Sequence, residues 1–333
     1  MRVARGPDAT EETSRDGVSE GGASEAPLRW QRPLALFLAT VASVFYTGGL
    51  YSADFRGVTE ISFWGAMRLG GLFAVPLLAI LLAHEFGHYF AARIHGVKAS
   101  LPHFIPLPVL SPFGTMGAII GMPDRIASRR ALLDIGASGP LAGMIVALPV
   151  LGWGLAHSVH QPLAAHGTME GQSLLYHLMK AIFVGPLAPN EDIYLHPTAF
   201  AGWTGLFITM LNLIPVGQTD GGHIAYALFG KRQNRFAPWV RGALLPLFVF
   251  NVVTAVWAQR AAGYPQGWQL LVTANSTSWL VWWVLLGVLH RVSGGNHPPV
   301  DESEPLGPVR RAVAVGSLIL FVLLFMRTPF TQS

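Results

Sequence analysis

The sequence predicts an all-α polytopic membrane protein of about seven transmembrane helices, with a short re-entrant loop or β-hairpin folded among them. Three observations predict it. Hydrophobic residues make up 51% of the 333 positions and charged residues only 12%, about half the charged share of an average soluble domain. Long apolar runs approach the ~20 residues that a helix needs to cross the hydrocarbon core. Residues 99–124 set Pro102, Pro106, Pro108, Pro112 and Pro123 among apolar neighbours, with Gly114, Gly117 and Gly121, a pattern that excludes a regular helix.

Residues 1–28 are rich in Gly, Ser and acidic side chains and too polar to bury a core, which predicts a disordered cytoplasmic tail. Asp8, Glu11, Glu12, Asp16, Glu20 and Glu25 are unlike an acid-poor transit peptide, and no signal peptide precedes the first apolar run, so a bacterial inner membrane is expected rather than a plastid. Apolar runs near 33–51, 67–92, 130–156, 198–217, 237–258, 270–290 and 310–326 give the spans. Asn275, Ser276, Thr277 and Ser278 interrupt the outer end of the sixth. The expected organisation is a first helix and outer loop over 29–66, a core of the second to fourth spans over 67–223, and three accessory helices over 224–333. With the amino terminus inside, seventeen of the 22 Lys and Arg residues fall on the cytoplasmic side and the carboxy terminus lies outside, as the positive-inside rule requires.

The proline-rich segment 99–124 then sits at the cytoplasmic side as a re-entrant loop or hairpin, because irregular backbone at membrane depth must be covered by protein or face water. Within the outer loop 157–197, Leu174 to Val184 suits a short interfacial helix. Residues 291–309 are a polar, Pro-rich connector.

With no Cys in the chain, disulfides and thiolate metal sites are excluded and any metal must be held by His, Asp or Glu. The net charge of +4 does not imply nucleic acid, because the basic residues scatter among loops instead of clustering on one face. The lipid bilayer is the expected surrounding.

The chemistry concentrates in His84-Glu85-Phe86-Gly87-His88. Two His four apart project from one helix face and can grip one ion, while Glu85 lies beside that ion, placed to take a proton from a bound water. The preceding run Leu69 to Ala83 carries only uncharged residues, and ionisable groups at such depth are costly and mark function. A catalytic zinc normally takes three protein donors and keeps one position open. Asp220 is the best candidate for the third, because it ends the fourth span on the cytoplasmic side at a depth comparable to the two His. Asp134 is the rival, with an ion-pair role beside Arg129 and Arg130 as its plainer reading, and His223 is a further candidate read more simply as a packed polar residue.

Together with Gly139-Pro140-Leu141-Ala142-Gly143 and Asn212-Leu213-Ile214-Pro215-Val216-Gly217-Gln218-Thr219-Asp220-Gly221-Gly222, these residues give the chain a pattern that resembles the site-2 protease family of intramembrane zinc metalloproteases. The layout looks closest to its PDZ-lacking branch. The resemblance implies one Zn2+ per chain held by His84, His88 and Asp220, with Glu85 as catalytic base and Asn212 positioning substrate or stabilising an oxyanion. It also implies that Phe113, Gly114, Thr115, Met116 and Gly117 belong to a strand that meets an extended transmembrane protein substrate. The implied function is hydrolysis of peptide bonds within or next to transmembrane segments. Thr219 departs from the family's usual aliphatic residue, with an expected effect on packing and not on chemistry. Gly139 and Gly143 read as small residues for helix packing. The alternative is a membrane metal transporter or an inactive zinc-binding membrane scaffold, and Glu85 is the feature that argues against both.

Overall fold

Trp30 leads into α1 (Gln31–Phe55), and the chain turns through the short α2 (Phe63–Leu69) into α3 (Gly71–Ile94). A hairpin of β1 (His103–Pro106) and β2 (Thr115–Ile119) precedes α4 (Arg129–Ala156). A cap follows, built from β3 (Val159–Pro162), β4 (Thr168–Glu170), α5 (Leu174–Phe183) and β5 (Glu191–Tyr194). The chain continues through α6 (Pro197–Asn212), α7 (Asp220–Phe229), a 3-10 turn (Gly230–Arg232), α8 (Gln233–Gly242) and α9 (Leu244–Ala261). It closes with α10 (Ser278–Val292), α11 (Pro308–Leu324) and β6 (Phe330–Gln332). This computed structural model describes residues 30–122, 126–162, 168–188, 191–261, 277–292, 297–301 and 305–332. The expected tail at 1–28, Asp124, Asn296, and the Asn275-Ser276 part of the interruption in the sixth span lie outside the described residues.

Among the described residues, four runs are long and apolar enough to cross a membrane: Gln31–Phe55, Gly71–Ile94, Arg129–Ala156 and Asp220–Trp257. The last is α7, the 3-10 turn, α8 and most of α9 in close succession. By this measure four of the seven expected runs are met among the described residues. At 16, 15 and 17 residues, α6, α10 and α11 reach only about 23–26 Å, short of a ~30 Å hydrocarbon core. The fourth expected span is cut short because the chain leaves the helix at Leu213 and restarts at Asp220.

The short α6 is the centre of the bundle. All its residues but Ile208 and Asn212 are buried, the signature of a helix enclosed on every side. One end of the bundle is marked by Asp134 of α4, which takes both Arg310 of α11 and His95, just past α3. At the other end β6 pairs with β4, Glu170 opposite Phe330, so β4 of the cap and the last described residues share one side.

The proline-rich segment resolves into the antiparallel hairpin, with His103 opposite Ile119, Phe104 opposite Ala118 and Pro106 opposite Thr115. It wedges between α1 and the centre of the bundle. Phe104 meets Phe37, and Ser43 Oγ donates to Gly114 O at 2.5 Å. Gly114 has φ +74 and sits where a Cβ would lie 2.8 Å from Ser43 O, so this position admits glycine on both conformation and space.

Candidate metal centre

Positions 77, 80, 81, 84, 85, 88 and 92 of α3 are buried, a spacing of three and four that turns one helix face inward. That face packs on α4 through small residues. A Cβ on Gly87 would stand 2.6 Å from Ser138 O, and a Cβ on Gly139 only 2.1 Å from His88 Nε2. Gly139 therefore does more than let two helices approach: it vacates the volume that the His88 ring fills. Gly143 is looser, its would-be Cβ 3.3 Å from His84 Cβ.

Asp220 arrives from α7. The chain leaves α6 at Asn212 and crosses a turn through Pro215 and Gly217, whose φ is +58. Thr219 then caps the new helix, its Oγ1 accepting from Gly222 N at 3.0 Å and donating to Ile214 O at 2.5 Å. Thr219 thus has a structural assignment as the N-cap that fixes the helix presenting Asp220, a role that an aliphatic residue cannot fill. Asp220 does not end the fourth span, as the sequence suggested, but is the first residue of α7.

Three side chains converge. His84 Nε2 and His88 Nε2 are 3.2 Å apart, and Asp220 Oδ2 lies 3.3 Å from each. Tetrahedral coordination with bonds of about 2.0 Å sets its donors about 3.3 Å apart, so the three atoms already stand at the spacing of three corners of such a centre. His88 Nδ1 donates to Ile135 O at 2.7 Å, which fixes the tautomer and leaves the Nε2 lone pair facing the other two donors. The residues present fit a divalent cation of the zinc type, and among the described residues this is the one group of three His, Asp or Glu with that convergence.

Glu85 is 6% exposed beside His84, within electrostatic reach of His84, His88 and Asp220. A carboxylate buried beside a cluster of metal-type donors is costly and points to a functional task. Asn212, on the last turn of α6, brings Nδ2 to 3.1 Å from His84 Nε2.

The remaining candidates are placed elsewhere. Asp134 is held by Arg310 at 2.7–3.0 Å and by His95 at 2.9 Å. It has the ion-pair role expected of it, but with partners other than Arg129. Arg129 instead donates to Ala227 O, and to Leu228 O at 2.9 Å, capping the end of α7. His223 is hydrogen-bonded to His297 at 2.9 Å and is not one of the three convergent donors.

In the hairpin, Phe113 is buried among Phe200, Trp203, Phe207 and Phe330. The Thr115 hydroxyl donates to Ile105 O at 2.9 Å. Gly114 faces α1, and Gly117, with φ +96, carries no side chain. Of the five expected substrate contacts, only Met116 presents an exposed side chain, at 47%, together with Ile119 two positions beyond the group. His297 was not singled out as a site residue from sequence: its 74-residue separation from His223 carries no periodic signal.

Fold and site define a helical protein with membrane-length apolar runs around a buried His-His-Asp donor triad. The profile of peptidase family M50 matches residues 72–255, and the chain belongs to that family, the site-2 protease family. Among curated proteins, it is 32% identical over 188 residues to "Probable zinc metalloprotease EGY2, chloroplastic" of Oryza sativa subsp. indica, covering 55% of this chain and 34% of that protein. It is 36% identical over 165 residues to "Probable zinc metalloprotease EGY1, chloroplastic" of Arabidopsis thaliana, covering 47% and 29%. To "Probable zinc metalloprotease EGY2, chloroplastic" of Arabidopsis thaliana it is 28% identical over 263 residues, covering 77% and 41%. The chain thus spans well under half the length of these relatives. Their names are chloroplastic and lend no support to a bacterial inner membrane. No solved structure matches the chain.

Proposed function

We propose that the protein is an intramembrane zinc metalloprotease that hydrolyses peptide bonds within or next to transmembrane segments of membrane proteins. The observation that carries this reading is the His84, His88 and Asp220 triangle, with 3.2–3.3 Å edges, beside the buried carboxylate of Glu85. The printed names of the relatives support the same metal and reaction class. Zinc held there would supply Lewis acidity, polarising a scissile carbonyl and lowering the pKa of a water. Glu85 takes the proton from the attacking water and passes it to the leaving amine, so that the C–N bond breaks to give a carboxylate and an amine. The Asn212 carboxamide, already at the site, donates to the substrate carbonyl oxygen as negative charge develops.

A substrate helix hides its peptide bonds in its own hydrogen bonds and must unwind locally to be cut. The edge of β2, with Met116 and Ile119 exposed, offers the unwound segment a strand to pair with. Residues 67–223 form the catalytic core in this reading, and the amino-terminal end of α1 faces the cytoplasm on the Lys and Arg asymmetry. The transporter alternative lacks a second cluster along a path, since among the described residues only one such group converges.

The test uses a single-span membrane protein with Gly and Pro in its span, incubated in detergent with the full chain, and fragments mapped by mass spectrometry. A cut inside or beside the span, abolished by a chelator and by Glu85→Gln while zinc is retained, is the expected result. Cleavage undiminished in Glu85→Gln would remove Glu85 from the mechanism and overturn the reading.

A further inference from the structure

Asp220 has an awkward task for a metal donor. It is the first residue of a ten-residue helix that follows a non-helical turn, and helices that short are marginal unless packing holds them. Metal–ligand distances tolerate only about 0.2 Å. One side of the first turn of α7 is held by α4, where a Cβ on Gly136 would stand 2.9 Å from His223 Cβ and 3.4 Å from Asp220 O. The other side is held by a segment far along the chain, in the connector between α10 and α11.

That segment is residues 297–301. His297 is 4% exposed, unusual for a side chain in a polar connector. Its backbone is clamped by Asn234 of α8, whose Oδ1 accepts from His297 N at 2.9 Å and whose Nδ2 donates to His297 O at 3.3 Å. Its ring stacks on Tyr226 at 4.2 Å. The Pro298 carbonyl, 2.8 Å from His297 Nδ1, can only accept, so Nδ1 carries the hydrogen and Nε2 of the neutral ring offers its lone pair. Burial lowers the pKa of His297, which favours that neutral form. His223 Nδ1–H then donates to His297 Nε2 across 2.9 Å. Four residues on, Asp301 N donates to Ala127 O at 2.7 Å, tying the connector to the start of α4. A water-sized cavity of ≈ 30 Å³ lined by Val216, Gly217, Asn234 and His297 adjoins the turn before Asp220, so truncating His297 enlarges an existing void there.

We propose that His297 is a positioning residue of the metal centre: the α10–α11 connector, anchored on α8 and α4, braces the first turn of α7 through His223 and so keeps Asp220 in register with His84 and His88. The inference rests on the reading of that triad as the zinc site. It assigns a role to a segment beyond residue 255, where the family match ends.

The experiment measures Zn2+ affinity by chelator competition and the Co2+ absorption spectrum on the full chain in detergent. His297→Ala is expected to weaken zinc about tenfold, the low end of the range for groups bonded directly to a metal ligand because His297 acts through His223, and to alter the Co2+ bands. His297→Gln, whose carbonyl can still accept from His223, restores affinity to within about threefold, and Asn234→Ala shifts it in the same direction as His297→Ala. Should His297→Ala not fold, the other two variants carry the test. Wild-type affinity in His297→Ala and Asn234→Ala, or His297→Gln no better than His297→Ala, overturns the brace. A wild type that binds no zinc, or an Asp220→Ala that binds it equally well, fails the underlying reading instead and takes the brace with it.

Discussion

Gly139→Ala adds a single methyl group to α4, and the structure says where it goes. The new Cβ would lie 2.1 Å from His88 Nε2, 2.4 Å from Cδ2 and 2.5 Å from Cε1. Non-bonded carbon and nitrogen atoms settle at about 3.5 Å, so the closest contact is short by roughly 1.4 Å and the imidazole must move by about that much or α3 must separate from α4. Either displacement is several times the roughly 0.2 Å that a metal–ligand bond tolerates, which leaves His84 and Asp220 as the remaining donors. Overpacking adds a stability loss of about 1–3 kcal/mol. Gly143→Ala is the matched control one turn along: its Cβ would meet His84 Cβ at 3.3 Å and Nδ1 at 3.4 Å, a contact relieved by a few tenths of an ångström. Metal analysis of the two purified variants, with thermal denaturation alongside, is the assay. Gly139→Ala is expected to lose zinc and activity together, and Gly143→Ala to keep most of both. Stoichiometric zinc of wild-type affinity in Gly139→Ala would refute the argument that this glycine exists to seat His88.

Two further outcomes follow from packing and charge. Phe113→Ala removes a ring packed on Phe200, Trp203, Phe207 and Phe330 and should cost about 3–5 kcal/mol in thermal or denaturant unfolding while zinc content stays unchanged; zinc loss without destabilisation would contradict its role as core. In the cap, burial raises the pKa of Glu170 against the opposing pull of Lys180. A carboxyl with a folded pKa above its unfolded one contributes stability that is present below the unfolded value and lost as pH rises through the folded one. Glu170→Gln should therefore be more stable than wild type at neutral pH, with the gap closing as pH falls below the ordinary Glu range; a gap in unfolding midpoint that is independent of pH would contradict this.

What could be read from the sequence divides by the range of the interaction. His84, Glu85 and His88 were legible because helix periodicity fixes their mutual placement within five residues. The hairpin was legible because proline and glycine exclude the alternative locally. Depth ranks Asp220 ahead of Asp134 and His223, but its place at a helix start needed more weight on Pro215 and Gly217, which interrupt the helix between Leu213 and the Thr219 cap. Asp134 shows the same limit: it pairs with Arg310, 176 residues away, where sequence proximity points to Arg129 and Arg130. Gly139 read as generic packing because a sequence shows that a residue is small without showing which ring needs the room. Along β2, alternation turns Thr115 and Gly117 inward and Met116 out, a detail that the run Phe113 to Gly117 does not show without the pairing register. The fourth expected span differs in shape, because hydrophobicity continues from α6 through a turn that the backbone does not treat as helix.

The most direct test of the central claim is the zinc content of the purified full chain beside Asp220→Ala, which needs no knowledge of the substrate. The account predicts about one zinc per wild-type chain, lost or sharply weakened in the variant. Zinc bound equally well without Asp220, or a folded and active wild type that carries none, would contradict it.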